Sequence, residues 1–222
     1  MIDPRIPLVV ASTLSLANAA ILARWTPVST ALPAGEMYDS DADMPTASEV
    51  AANLNVSPLD RVGLEAFGNV AAVWAGRAVP DTSVIEETVY TTFTLTPSAG
   101  YFIDLDTITY DYQSYGFASN GYNFYLRTSA DGFAADLATD ANNAGAARVN
   151  FDVSSLTGLS DPLEVRIYAT SIDSGNRWFD MAGSDAATDL GLIVNGTVAI
   201  PEPSTGLLAA MAGLILLRRR RR

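Results

Sequence analysis

The chain has 222 residues, of which 25 are acidic and 13 are basic, and it contains no histidine, cysteine or lysine. A chain without histidine and cysteine lacks the usual general base, the usual zinc ligands, thiol nucleophiles and disulfides. The absence of lysine excludes Schiff-base chemistry and a phosphate-loop lysine, so the composition argues against the common enzyme classes.

The charge is divided between the body of the chain and its C-terminal end. All 13 basic residues are arginines, and the last five are Arg218, Arg219, Arg220, Arg221 and Arg222. Without Asp3, Arg5, Glu202 and that arginine run, the body has 23 acidic and 7 basic residues. A surface this acidic repels nucleic acid, so we expect no nucleic-acid partner.

The first feature in chain order is an apolar segment at residues 6–16, which has the length of a signal-peptide core. Residues 17–19 read Ala-Asn-Ala, the small-x-small pattern that signal peptidase accepts. We therefore predict a signal peptide over residues 1–19, removed by signal peptidase, and an exported body that starts at residue 20.

The body, residues 20–200, alternates apolar and polar residues with the period of two that is typical of β-strands. The alternating segments are residues 87–95, 101–112, 121–127, 148–153, 162–169 and 189–196, with weaker candidates at 20–25, 51–57 and 70–75. Strands with one buried face, separated by short turns, predict an all-β fold: a two-sheet antiparallel sandwich of jelly-roll type. A phase change between Leu105 and Ile108 predicts a bulge near Asp106.

Two connecting segments carry further expectations. Residues 27–50 read as a long loop, and Asn195-Gly196 reads as a turn before the tail. Asp39, Asp41 and Asp43 alternate as at the start of an EF-hand loop. However, Met44 and Val50 stand where such a loop needs glycine and glutamate. The stretch is therefore read as a solvated acidic loop, with an irregular calcium site as the alternative, and we predict no metal site and no cofactor.

Aromatic residues of the body are the candidates for a carbohydrate site, namely Tyr168, Trp178 and Tyr115. Tyr168 alternates in phase with Glu164 and Arg166, so we expect it on the outer, wet face of its strand. A ring beside an arginine and a carboxylate suits sugar hydroxyls. The alternative is that these rings pack in the core, as aromatic rings of a sandwich commonly do.

The C-terminal segment, residues 201–222, combines three features in a fixed order. Pro201, Glu202 and Pro203 come first, an uncharged and mostly apolar run at 206–217 follows, and the five arginines end the chain. Counted from residue 204 the run has 14 residues, a helix of roughly 21 Å against a hydrocarbon core of about 30 Å. We expect the arginines to act as a membrane stop and to stay on the cytoplasmic side.

This three-part tail resembles a PEP-CTERM sorting signal. The resemblance implies recognition by an exosortase, a membrane-embedded protease-transpeptidase, after transient anchoring of the tail in the inner membrane through a short hydrophobic helix. It also implies a producer of exopolysaccharide, and hence a biofilm or matrix setting. Residues 90–203 further resemble the extracellular domains that such proteins commonly carry, which implies a sandwich and is silent on chemistry.

The sequence thus predicts an exported, surface-sorted structural or adhesive β-sandwich protein of the cell envelope or exopolysaccharide matrix. The alternative is a non-catalytic carbohydrate-binding module that links polysaccharide to the cell surface. We predict no catalytic residues. Signal peptidase, the exosortase and extracellular polysaccharide are the expected partners, and the membrane is contacted through the tail before processing.

Overall fold

The computed structural model describes residues 20–26, 46–63, 65–66, 74–77, 84–115, 122–142, 146–171, 178–181 and 191–200. For residues 65–66, 74–77, 112–115, 142, 146–147, 171 and 178–181 it describes the backbone alone. The predicted signal peptide, the acidic stretch at Asp39 to Asp43 and the tail from Pro201 lie outside the described residues.

The described residues form short and long strands, with a single-turn 3-10 helix at Ser129–Asp131. The strands are β1 Ala20–Trp25, β2 Glu49–Val50, β3 Leu54–Val56, β4 Asp60–Val62, β5 Glu65–Ala66, β6 Trp74–Arg77, β7 Tyr90–Pro97, β8 Phe102–Tyr115, β9 Tyr122–Thr128, β10 Ala138–Asn142, β11 Ala146–Asp152, β12 Leu163–Ser171, β13 Trp178–Met181 and β14 Leu192–Ala199.

The strands form two antiparallel sheets. Sheet A has the order β2-β1-β14-β8-β13-β6-β5, with β11 also paired to β8, and sheet B has the order β10-β9-β12-β7-β3, with β4 also paired to β7. The central strands β1-β14-β8-β11 and β7-β12-β9-β10 follow the order of a jelly roll, in which the chain passes back and forth between the sheets. The predicted fold class is therefore confirmed.

The core lies between the two sheets and is built by alternation. In β7 and β9 every second residue is buried, which follows from the period of two that the sequence shows. Trp25 of sheet A and Phe93 of sheet B meet across the core with ring centroids 4.9 Å apart. The indole N–H of Trp25 donates to the carbonyl of Ser57 at 3.3 Å, so this buried ring keeps a hydrogen-bond partner.

The predicted bulge at Asp106 is confirmed. In the β14–β8 pair, Asn195 lies opposite Thr107 and Gly196 lies opposite Leu105, so Asp106 is an extra residue on β8. The bulge explains the change of phase, because Leu105 and Ile108 both face the core while Asp106 is exposed.

The predicted turn at Asn195-Gly196 is wrong, because both residues lie inside β14. Gly196 faces the bulge, where an added Cβ would lie 2.2 Å from the Asp104 carbonyl oxygen. Glycine is therefore needed for close backbone approach and not for a turn.

The long loop predicted at 27–50 also needs one correction, because its last two residues form β2. Val50 pairs with Ala23 of β1, so the chain returns to sheet A before residue 51. Residues 27–45 lie outside the described residues.

Candidate surface sites

Two of the three candidate carbohydrate residues lie opposite each other in sheet A. Trp178 of β13 is the register partner of Tyr115 of β8, and on its other side Trp178 is the register partner of Arg77 of β6. Residues directly opposite on neighbouring strands occupy the same face of a sheet. Arg77, Trp178 and Tyr115 therefore form one row across three strands, which we call the 77–178–115 row.

The third candidate, Tyr168, lies in sheet B and is separated from that row. It is on the outer face, in phase with Glu164 and Arg166 as predicted, but it is only 1% exposed. The ring of Tyr90 lies over it at 5.4 Å between centroids, and the Arg127 guanidinium carbon lies 5.4 Å from its centroid. The expected wet environment is thus wrong, because neighbouring side chains cover an outer-face ring.

The residues that cover Tyr168 belong to a cluster of rings and arginines on the outer face of sheet B. The Arg166 guanidinium carbon lies 3.6 Å from the ring centroid of Phe133 and 4.5 Å from that of Tyr90. Its Nε–H also donates to Glu164 at 2.7 Å. These contacts combine cation–π attraction with an ion pair, and together they fix the position of the arginine on the outer face.

Arg127 is the second arginine of this outer-face cluster. Its Nε–H donates to Asp136 and its Nη1–H to Glu87, both at 2.6 Å, while its side chain is 14% exposed. The hydrogen bond to Asp136 raises the pKa of Arg127, against the opposing effect of burial. Burial chiefly raises the pKa of the Tyr168 hydroxyl, and Arg166 beside it lowers the pKa in part. With its arginines paired and its central ring covered, the cluster stabilises the sheet rather than offering an open ring to a ligand.

A polar groove lies where the edges of the two sheets meet, beside β10 and β11. It has a volume of about 410 Å³ and is lined by Leu137, Ala138, Thr139, Asn150, Asp152, Ser154 and Ser155. The backbone N–H of Asn150 donates to Asp140 at 3.3 Å and joins the two edges. The groove presents hydroxyl, amide and carboxylate groups to solvent, so it can form hydrogen bonds, and none of its lining residues is aromatic.

Asp152 is the ionised group of this groove. The Ser154 hydroxyl donates to its carboxylate at 2.6 Å, and the Ser154 N–H donates to the same oxygen at 3.0 Å. These two hydrogen bonds lower the pKa of Asp152 below its ordinary value of 3.8. The second carboxylate oxygen, Oδ2, is not used by Ser154.

An ion pair on sheet A was not anticipated from the sequence. Asp111 of β8 accepts two hydrogen bonds from Arg148 of β11, at 2.7 and 3.0 Å. The Asp111 side chain is 4% exposed and that of Arg148 is 48% exposed. The polar phase of residues 148–153 was visible in the sequence, but the partner strand is set by the fold.

Within the described ranges, no three aspartate or glutamate side chains come close enough to hold a metal ion. No helix in the described part of the chain is long and apolar enough to span a membrane. The apolar run at 206–217 and the arginines after it lie outside that part.

The tail nevertheless begins at a well-defined place in the fold. β14 ends at Ala199, so Ile200 is the one residue between this strand and Pro201. Ile200 is 63% exposed.

Residues 199–222 match the PEP-CTERM protein-sorting motif. The chain therefore carries such a sorting motif at its C-terminal end, and this motif implies an exported, surface-sorted protein. The match covers the tail and not the body. Among curated protein sequences, none matches this chain.

Nine chains of solved structures match the fold. One is a tyrosine mutant of CBM29-2, described as a family 29 carbohydrate-binding module, with 9% sequence identity and a TM-score of 0.36. The match covers 80% of this chain and 93% of that chain. A likeness this distant assigns neither a ligand nor a function to the present protein.

Proposed function

We propose that this protein is a structural or adhesive component of the cell envelope or exopolysaccharide matrix, carried to the surface by its sorting motif. The observation that supports it is a PEP-CTERM motif at 199–222 joined directly to an all-β jelly-roll body. The body is acidic, and both arginines of the outer-face cluster on sheet B are paired with carboxylates, which suits a stable display domain.

The proposal includes two processing steps. Signal peptidase removes residues 1–19, and Ala20 becomes the first residue of β1. The tail then enters the inner membrane through the apolar run at 206–217, with Arg218 to Arg222 inside, and an exosortase recognises Pro201, Glu202 and Pro203.

Intact-mass analysis of the protein recovered from the cell surface tests both steps. We expect a species that begins at Ala20 and lacks the arginine run. In a matched variant with Pro201, Glu202 and Pro203 all changed to alanine, the tail should remain attached. Surface protein that still begins at Met1 and still ends in five arginines would overturn the proposal.

A second candidate function is a non-catalytic carbohydrate-binding module. The register that sets Trp178 opposite Tyr115, with Arg77 beside them, supports it, because an aromatic pair next to an arginine suits stacking on a sugar ring. Tyr168 is a weaker contributor, since a sugar could reach its ring only after Tyr90 and Arg127 moved away.

Binding of residues 20–200 to immobilised matrix polysaccharides separates the two functions. Under the second candidate, binding is saturable and is lost in Trp178→Ala and Tyr115→Ala, whereas Tyr168→Phe binds like the wild type. A flat response of the wild type across matrix sugars removes the carbohydrate-binding candidate and leaves the structural one.

A further inference from the structure

The last strand of the body is a central strand of sheet A. β14 pairs with β1 on one side and with β8 on the other, and its final residue, Ala199, still lies opposite Phe102. The sorting motif begins at this same residue. The folded body therefore commits all of β14 to the sheet up to the first position of the motif.

Both ends of the body leave sheet A at one pole. Because β1 and β14 are antiparallel, Ala20 lies opposite Gly196, close to where Ala199 ends β14. Ile200 follows at this exit pole, and it is one of three large apolar side chains that are exposed among the described residues, with Val50 and Val84.

A protease that binds its substrate as an extended segment needs unpaired chain on which to dock. Upstream of Pro201 the body offers one such residue, Ile200, since Ala199 is already in the sheet. Reaching further upstream would require residues 197–199 to detach from β8, and from Gly196 onward it would also require β14 to detach from β1.

We propose that the folded jelly roll sets the upstream limit of tail processing. The membrane-embedded processing enzyme contacts the chain from Ile200 onward and approaches the exit pole, and the mature protein keeps β14 whole. This inference rests on the proposed processing of the tail. It adds that the fold, and not the motif alone, determines where the enzyme can act.

The test uses the full chain in the cells that produce it. A Gly-Ser-Gly-Ser insertion between Ile200 and Pro201 should accelerate conversion of precursor to product by about tenfold in a pulse-chase measurement. That factor corresponds to about 1.4 kcal/mol, and we expect it because the added residues move the motif away from the folded exit pole. As a control, the same insertion between Val84 and Ile85, which precede β7, should leave the conversion rate unchanged.

Intact mass provides a second readout that does not depend on the insertion. The wild-type product should retain Ala199, and a product that ends before residue 199 would overturn the proposal. An insertion variant that unfolds at the wild-type temperature and is processed no faster would also overturn it. If the wild type is processed and the insertion has no effect, only this inference fails. If neither chain is processed, the proposed sorting step fails with it.

Discussion

Replacing Gly196 by alanine tests the tightest contact between β14 and β8. An added Cβ would lie 2.2 Å from the Asp104 carbonyl oxygen, 2.9 Å from Leu22 Cδ1 and 3.1 Å from Leu105 Cα. Two of the three contacts are with backbone atoms, which cannot rotate away. β14 is paired with β1 on one side and with β8 on the other, so the clash can be relieved only if β14 separates from β8 at the bulge.

The expected loss follows from the size of this clash. Overpacking typically costs about 1–3 kcal/mol, and contact with backbone places Gly196→Ala at about 2–3 kcal/mol. For a domain of this size about 1 kcal/mol shifts the melting temperature by roughly 2–4 °C, so the midpoint should fall by roughly 4–12 °C. Thermal and urea unfolding of residues 20–200, followed by circular dichroism, measure the shift.

Gly100→Ala is the matched control. Gly100 has a φ of +84° and no neighbouring atom within 4 Å, so alanine there meets backbone strain without a clash. Its cost should be about 1 kcal/mol. If Gly196→Ala unfolds at the wild-type midpoint, or is no worse than Gly100→Ala, the close approach at the bulge is refuted.

Two further predictions concern ionisable groups of the outer surface. In Tyr168→Phe, removal of a buried hydroxyl that makes no well-formed hydrogen bond among the described residues, although Arg166 lies beside it, should raise the free energy of unfolding by about 1 kcal/mol. Because burial raises the pKa of Tyr168 in the folded protein above its ordinary value of 10.0, the unfolded chain ionises first, and the free energy of unfolding of the wild type falls as the pH rises above 10. The variant lacks this group, so its free energy of unfolding should fall less at alkaline pH in urea unfolding. Equal alkaline midpoints would contradict this. In Ser154→Ala, the pKa of Asp152 should rise towards 3.8, because both of the hydrogen bonds that lower it come from residue 154 and the one from the hydroxyl is lost. Because the pKa is lowered in the folded state, Asp152 stabilises the wild type at pH values above 3.8, and this stabilisation is lost as acid protonates the carboxylate. An NMR titration of the carboxylate measures the change of pKa in Ser154→Ala. An unchanged pKa would show that the hydroxyl is not the cause.

The parts of the fold that the sequence predicted are those that alternation encodes locally. β7, β9 and β12 each alternate over seven or more residues, and the bulge at Asp106 is visible as a shift of phase within one strand. The sorting motif was predictable for a similar reason, since its proline pair, apolar run and arginines are contiguous in the chain.

The strands that the sequence did not predict are short or weakly apolar. β10 reads ATDAN and is the edge strand of sheet B, and its described side chains at 138–141 are exposed or half-buried, so few of them need to be apolar. β13 has four residues, too few to show a period. Both strands are fixed by their partners, β9 for the first and β6 and β8 for the second.

The candidate site was predictable in its residues but not in its geometry. Alternation placed Tyr168 on an outer face, yet its burial depends on Tyr90 and Arg127, which come from two other strands. Trp178 and Tyr115 are 63 residues apart, and only the β13–β8 register sets them opposite each other. Alternation within one strand predicts which face of the sheet each residue occupies, but it does not predict which residues of two strands lie opposite each other.

The order of the strands links the folding of this protein to its export. β1 is the first strand of the body and β14 is the last, and the two are neighbours in sheet A. On its other side β14 pairs with β8. A sheet whose central strand comes last cannot close while that strand is still being exported, since long-range pairing waits for both partners. The sorting tail follows β14 by one residue, so under the proposed processing the jelly roll closes only when the tail is also reaching the membrane. If the tail is processed as proposed, the exit pole therefore forms at the same stage at which the tail becomes available to the processing enzyme.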